Sequence, residues 1–206
     1  LSSVKAMGPA VSASPRAEQD CRPPADDYGL SKWRAECALR EFCTDGDMGL
    51  VILRPALVYG PGARGNLERL ATAVSRGLPR PPEGGRRSMI ALEDLVELLC
   101  NLVADPPQGV HTWIACGPQA YSTRDIYDCL HKVSDRGSWG GWLPRWVWRL
   151  GAALLDLLTG RRGESTWQRL FGDELYTSEA VMRARNWHPR GTLEGVMASS
   201  VNTAAP

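Results

Sequence analysis

Several ingredients of common functional sites are scarce or missing in this sequence. Histidine occurs only 3 times, as His111, His131 and His188, far apart and with no HExxH. The 6 cysteines (Cys21, Cys37, Cys43, Cys100, Cys116 and Cys129) form no CxxC pair. Familiar zinc and dithiol motifs are therefore excluded, and no metal is expected. Charge of one sign is also lacking. Lys plus Arg number 24 against 23 Asp plus Glu, a net charge of +1. Bulk electrostatics thus gives no case for a nucleic-acid partner or a membrane surface. Nor is there a run of about 20 uncharged residues able to cross a bilayer. The most apolar stretch, Trp142 to Leu158, contains Pro144, Arg145, Arg149 and Asp156. It reads as an amphipathic helix against a neighbour, not as a span. No internal repeat or low-complexity segment stands out.

What is present is ordinary for a globular chain. The 206 residues are 43% hydrophobic and 23% charged, enough for one domain, or a large and a small unit around a shared cleft. Gly at 21 and Pro at 15 imply many loops. The 8 Trp against 2 Phe suggest a cleft or interface lined by rings. With no signal peptide read, the cysteines are expected reduced and the protein cytoplasmic. The chain opens on Leu1, and its first residues read as the end of a buried strand. It is therefore expected to be a fragment.

Periodicity supplies the elements. A loop rich in breakers runs from Gly8 to Asp27, and Asp26-Asp27 signal a helix start. The helix is expected over about Tyr28 to Phe42, with Ala35, Ala38, Leu39 and Phe42 as its apolar face. Leu50 to Leu53 is a continuous apolar run of the kind buried on both faces of a parallel sheet. A loop is expected from Arg54 to Gly62, then a helix over Asn66 to Arg76 and a short strand over Arg87 to Ile90. Leu92 to Val103 is a strong helix, Val110 to Ala115 a buried strand, and Ser122 opens a helix to about Val133 in capping-box form with Asp125. A last α/β-like piece runs from Leu175 to Met197. Helix and strand alternate, so the class is α/β with a parallel sheet.

The sharpest chemical signal is YGLSK, Tyr28 to Lys32. Residues four apart share a helix face, so phenol and ammonium project side by side. A free tyrosine, with a reference pKa near 10, is a poor acid or base at neutral pH. A neighbouring cation favours its phenolate and suits it to proton transfer. Ser2-Ser3 close the preceding strand, where a hydroxyl either bonds the oxygen that Tyr28 protonates or merely caps the strand end. RPALVYGPG follows the next buried strand, and ligands of open parallel sheets bind outside the carboxyl ends of strands.

In this order and at these spacings, LSSVKAMG, YGLSKWRAE, LRPALVYGPGARGNL and RRSMIALEDL resemble the extended short-chain dehydrogenase/reductase family, also called NAD-dependent epimerase/dehydratase. The likeness covers nearly the whole chain. It implies the C-terminal half of a Rossmann-type parallel-sheet domain (residues 1–63 and 91–118) plus a small, mostly helical substrate-binding region (64–90 and 119–200). It assigns Ser3, Tyr28 and Lys32 to catalysis, with Lys32 also holding the nicotinamide ribose. The turn of Pro55, Leu57 and Val58 would face the nicotinamide of NAD or NADP. Asn66, Leu67 and Arg87 would meet a nucleotide-sugar diphosphate, Arg87 through its planar fork. Against Arg87 stands the plain reading of a solvated charge beside Arg86. Homodimers are common in the family, with the helix from Tyr28 to Phe42 as a candidate interface.

The family's GxxGxxG turn, which cradles the pyrophosphate on a helix N-terminus, has no counterpart here. GPGARG, Gly60 to Gly65, follows a later strand and reads as a loop. The fragment alone is thus expected to bind cofactor poorly, and activity belongs to its longer parent. Dehydratases of the family carry Asp-Glu after the catalytic hydroxyl residue, whereas Ser3 precedes Val4-Lys5, which counts against elimination. GARGNLERL, GLPRPP and RRSMIALEDL look most like bacterial reductases of 4-keto-6-deoxy amino-sugar nucleotides in surface polysaccharide synthesis. UDP-hexose 4-epimerisation is the alternative, and a silent binding or scaffold paralogue the alternative of another class. An apolar pocket near Trp113 and Trp139 to Trp148 would suit a redox step, though those rings serve equally as core.

Overall fold

A computed structural model describes residues 1–9, 14–44, 48–61, 66–133, 143–159 and 165–196. In chain order the elements are a 3-10 turn (Val4–Met7), α1 (Asp27–Thr44), β1 (Leu50–Pro55), β2 (Leu57–Tyr59), α2 (Asn66–Ser75) and β3 (Arg87–Ala91). They continue with α3 (Leu92–Ala104), β4 (Val110–Ala115), β5 (Ala120–Tyr121), α4 (Thr123–Val133), α5 (Arg145–Thr159), α6 (Thr166–Phe171) and α7 (Glu179–Arg185). The fold is α/β with a parallel sheet. Most of the loop GPGARG, together with Trp139 and Trp142, lies outside the described residues.

The chain forms two units. The first comprises Leu1–Val58, Ser88–Pro118 and Leu175–Gly191, and the second Tyr59–Arg87, Gln119–Glu174 and Thr192–Pro206. Strands β2, β3 and β5 make a three-stranded sheet in that order.

The frame of the first unit is the parallel pair β1 and β4, registered from Leu50 opposite Val110 to Pro55 opposite Ala115. Side chains alternate across a strand, and on β4 both sets are buried. Trp113 and Ala115 join Leu53, Leu95, Leu98, Val181 and Trp187 in one core, while Ile114 and Cys116 join Val4, Met7, Ala56 and Tyr176 in another. A strand covered on both faces needs apolar residues at consecutive positions, which is why VHTWIA reads as a continuous run. Trp113 is 6% exposed and stacks on His111; its ring is core.

Four features differ from the periodicity reading. Leu1 to Ser3 form no strand, although the Ser2 amide donates to the Leu53 carbonyl at 2.7 Å. The stretch from Arg54 is not a loop: β1 runs through Pro55, and β2 resumes after Ala56, whose amide bonds Ala115 at 2.9 Å. The face of α1 expected to be apolar points outward, with Leu39 at 48% and Phe42 at 69% exposure. The inward positions are Gly29, Glu36 and Cys43. On α3 the buried stripe is Asp94, Leu95, Leu98 and Leu102, while Leu92, Val96 and Val103 are exposed. The Asp94 carboxylate accepts the amides of Arg190 and Gly191 at 3.1 and 2.8 Å, tying the end of the unit to the start of α3.

In the second unit, α4 opens as a capping box. The Asp125 carboxylate accepts the amide and hydroxyl of Ser122 at 2.8 Å each, and Ser122 Oγ accepts the Asp125 amide at 3.1 Å. The helix is fixed from outside by Tyr127 Oη donating to Leu78 at 2.8 Å and Thr123 Oγ1 donating to Leu170 at 2.6 Å. Helix α5 is joined to α6 by Asp156, which accepts the Thr166 amide at 3.0 Å. Trp148 meets Phe171 edge-on, and Phe171 also packs against Trp167.

Candidate active site

The first turn of α1 carries the YGLSK motif, and each neighbour of that turn has a local cause. Asp26 Oδ1 accepts the Gly29 amide at 2.9 Å, satisfying one of the free donors that begin a helix. Gly29 lies against the 3-10 turn. A Cβ there would stand 2.5 Å from the Lys5 carbonyl oxygen and 2.8 Å from Pro24 Cβ. Only glycine permits that approach. The residue after Tyr28 thereby sets the start of α1 against the turn that Ser3 caps.

Tyr28 is 55% exposed, and Lys32 Nζ stands 5.8 Å from its ring centroid, over the ring. One helical turn places them together, as the motif implied. Ser3 is extended (φ −158°, ψ 151°) and caps the 3-10 turn, its Oγ accepting the Lys5 amide at 3.2 Å. That bond uses a lone pair and leaves the hydroxyl proton available for another acceptor.

Behind this turn lies a buried ionic cluster that periodicity did not reveal. Glu36, one turn beyond Lys32, is 4% exposed and paired with Arg54, also 4% exposed. Arg54 donates from Nε to Glu36 Oε1 at 3.0 Å and from Nη2 to Oε2 at 2.5 Å, while Ser2 Oγ donates to Oε1 at 2.5 Å. Burial pulls the Arg54 guanidinium toward neutrality, but the bonds and charge of Glu36 outweigh it and hold its pKa above the ordinary value. One carboxylate thus joins the residue before Ser3, the helix of Tyr28 and Lys32, and the residue before Pro55. The spacing from Lys32 to Glu36 was a usable signal, but a carboxylate on an inward face is not what apolar periodicity seeks.

Ser3, Tyr28, Lys32, Pro55, Leu57 and Val58 all belong to the first unit, and Asn66, Leu67 and Arg87 to the second. Pro55 ends β1, Leu57 and Val58 open β2, and Val58 packs against the Leu53 core. Asn66 begins α2, and Leu67 is buried at 6% exposure, so its side chain serves packing. Arg87 begins β3, with its Nε and Nη2 buried and without a hydrogen-bond partner among the described residues. This is no solvated surface charge. Two guanidinium donors left unsatisfied are costly unless an acceptor outside the chain meets them.

The chain is similar to known proteins in sequence and in fold. Residues 1–115 match the family model described as NAD dependent epimerase/dehydratase family. The chain belongs to that family. A UDP-glucose 4-epimerase of Vibrio cholerae is 30% identical over 204 residues, covering 94% of this chain and 58% of that protein. Two solved UDP-glucose 4-epimerases share the fold at 19% identity and a TM-score of 0.70. The Thermotoga maritima enzyme, with UDP-glucose, is matched over 98% of this chain and 60% of its own; the Thermus thermophilus enzyme, with NAD, over 99% and 63%. The chain thus spans about six-tenths of the length of these relatives. The family is NAD dependent, and the residues present suit one end of that cofactor. The phenol of Tyr28 and the ammonium of Lys32, open on one helix face, match a ribose diol as donor and acceptor. The Gly-rich pyrophosphate cradle is not in this sequence. No described helix is long and apolar enough to cross a membrane.

Proposed function

We propose that this chain carries the catalytic residues of a cytoplasmic, NAD(P)-linked reductase acting on the 4-keto group of a nucleotide-activated 4-keto-6-deoxy sugar, a precursor of surface polysaccharide. The observation that carries the reading is the Tyr28–Lys32 pair, 5.8 Å from ammonium to ring, on a helix start set against the Ser3 turn by Gly29. The nicotinamide, when bound, supplies the hydride. Tyr28 delivers the proton to the carbonyl oxygen as it becomes a hydroxyl. Lys32 stabilises the phenolate left behind and holds the ribose. Ser3 donates its hydroxyl proton to the same sugar oxygen and keeps it in line with Tyr28. The backbone at Pro55, Leu57 and Val58 lines the nicotinamide. The unpaired edge of Arg87 takes the diphosphate, aided by Asn66 and by the α2 start at Leu67. Val4 and Lys5, after Ser3, supply no carboxylate for elimination. Pairing of two copies through the outward face of α1, at Leu39 and Phe42, belongs to the same reading.

A second reading, 4-epimerisation of a UDP-hexose, is favoured by the name of the Vibrio cholerae relative. It uses the same residues, with Tyr28 first removing and then returning the proton.

One experiment separates them. The intact protein is mixed with UDP-4-keto-6-deoxy-N-acetylglucosamine and NADPH or NADH, and absorbance of the reduced cofactor is followed beside a Tyr28→Phe control. Consumption that disappears in the control supports the reductase. Conversion of UDP-hexoses to their 4-epimers without net consumption establishes the epimerase instead. Neither activity, with cofactor bound, sinks both and leaves a binding module.

A further inference from the structure

Arg16 is a buried cation that the catalytic reading leaves unused. It is 4% exposed, and no carboxylate among the described residues pairs with it. Its fork is directed at backbone oxygens instead. Nη1 donates to the Gly8 carbonyl at 2.7 Å, and Nη2 donates to the Met7 carbonyl at 2.6 Å and to the Asp20 carbonyl. A buried charge is costly unless hydrogen bonds hold it, and the last carbonyls of a helical turn lack partners within it. Met7 ends the 3-10 turn that Ser3 caps, and Gly8 follows it. The guanidinium thus closes the turn at one end as Ser3 closes it at the other.

Arg16 is itself held from the far side. Its amide donates to the Leu175 carbonyl at 2.9 Å, and its carbonyl accepts the Thr177 amide at 3.0 Å. These bonds form a parallel bridge to Tyr176, and the guanidinium stands over that residue's ring, 5.9 Å from the centroid. Two residues on, Glu18 Oε1 accepts the Ile114 amide at 2.9 Å, which fixes the same segment against β4. The anchor therefore belongs to the frame of the first unit and not to the turn it holds. The helix of Tyr28 and Lys32 has anchors of its own, in the Asp26 cap and the Glu36–Arg54 pair. Ser3, by contrast, rests on a turn of 4 residues.

We infer that Arg16 is the positioning residue for the Ser3 hydroxyl. By clamping the Met7 and Gly8 carbonyls to the frame, it keeps the short turn, and with it Ser3 Oγ, where the hydroxyl meets the sugar oxygen. The inference rests on the role given to Ser3 under the proposed function. Arg16 touches neither substrate nor cofactor and acts through Ser3 alone. A displacement of about 1 Å in a group that orients a reacting atom can cost about a hundredfold in rate.

The test is a double-mutant cycle on the intact protein, with Arg16→Gln, Ser3→Ala and the two combined. It is read in kcat for ketoreduction or 4-epimerisation, whichever the parent performs. Arg16→Gln is expected to lower kcat about tenfold to a hundredfold at unchanged cofactor affinity, and to lower it no further once Ser3 is alanine. Arg16→Lys keeps the charge but loses the planar fork. It should fall between the parent and Arg16→Gln, and it takes the place of Arg16→Gln in the cycle if that variant does not fold. An Arg16 effect of equal size with and without the Ser3 hydroxyl overturns the proposal, because a general loss of structure acts on both alike. A kcat that both Arg16 variants leave unchanged also overturns it, with the reading of Ser3 intact. Ser3→Ala at full activity removes the role of Ser3 itself, and the inference falls with it. A parent with neither activity overturns the proposed function and the inference together.

Discussion

Replacing Glu36 by alanine should be among the most damaging single changes in the first unit. The substitution deletes both acceptors of the Arg54 fork and the acceptor of Ser2 Oγ. It leaves a guanidinium at 4% exposure with, among the described residues, the Glu18 carbonyl at 3.4 Å and Cys21 Sγ at 3.7 Å as further partners. Removing one partner of a buried pair costs about 3–5 kcal/mol, because an uncompensated charge stays behind. A domain's margin is about 5–15 kcal/mol, so a loss of about 3–5 kcal/mol removes roughly a fifth of it or more. Removing both charges together, as Glu36→Leu with Arg54→Met, leaves no stranded ion and should restore most of the loss, to within about 2 kcal/mol of the parent. Urea midpoints of the three proteins, at equal slope, measure this directly. If the single variant loses less than about 1 kcal/mol, or the double variant falls as far as the single, the pair is not the desolvated unit its burial implies.

Gly29→Ala would drive a methyl to 2.5 Å from the Lys5 carbonyl; a loss of about 1–3 kcal/mol is expected in thermal or urea unfolding, with a drop in kcat as the start of α1 lifts from the Ser3 turn. Arg87→Leu should separate stability from affinity: two unsatisfied buried donors vanish, so the unfolding midpoint holds or rises, while KM for the nucleotide-sugar increases about tenfold to a hundredfold. Burial pushes the thiols of Cys116 and Cys129 up. The folded chain therefore holds protons that the unfolded chain releases, and the linked stability is full below the ordinary thiol pKa of about 8.5 and declines as pH rises above it. Denaturant midpoints should fall between about pH 8 and pH 10, less steeply in Cys116→Ala.

How much of this was legible depends on whether the deciding contact is local. β4 was read at its observed bounds because burial on both faces writes itself as consecutive apolar residues. The capping box of Ser122 and Asp125 was legible because both partners lie within one turn. The orientation of α1 was not. Its Ala35, Ala38, Leu39 and Phe42 form an apolar face, yet the side turned inward is the one whose Glu36 meets Arg54, 18 residues away. A pairing across that separation leaves no periodic trace, and the ionic match outweighed the apolar one. α5 repeats the lesson: its amphipathic character could be read, but not that the apolar side faces out. At the site, the Tyr28–Lys32 juxtaposition followed from helical spacing alone, whereas the unsatisfied edge of Arg87 is visible only when its surroundings are.

The first unit is assembled from three separated stretches, Leu1–Val58, Ser88–Pro118 and Leu175–Gly191, and that has a consequence for its synthesis. Val181 and Trp187 complete the core beside Leu53 and Trp113, and Ser178 Oγ accepts the Cys116 amide at 2.8 Å. Neither exists until the third stretch has left the ribosome. From residue 118, where the stretch carrying β4 ends, to residue 191 is 73 residues, which at about 5–20 residues per second takes roughly 4–15 s. Throughout that interval the α3 face of β4 stands partly uncovered on the nascent chain. A ribosome that pauses between residues 118 and 175 prolongs this state, and there the nascent chain is most exposed to aggregation and has most need of a chaperone.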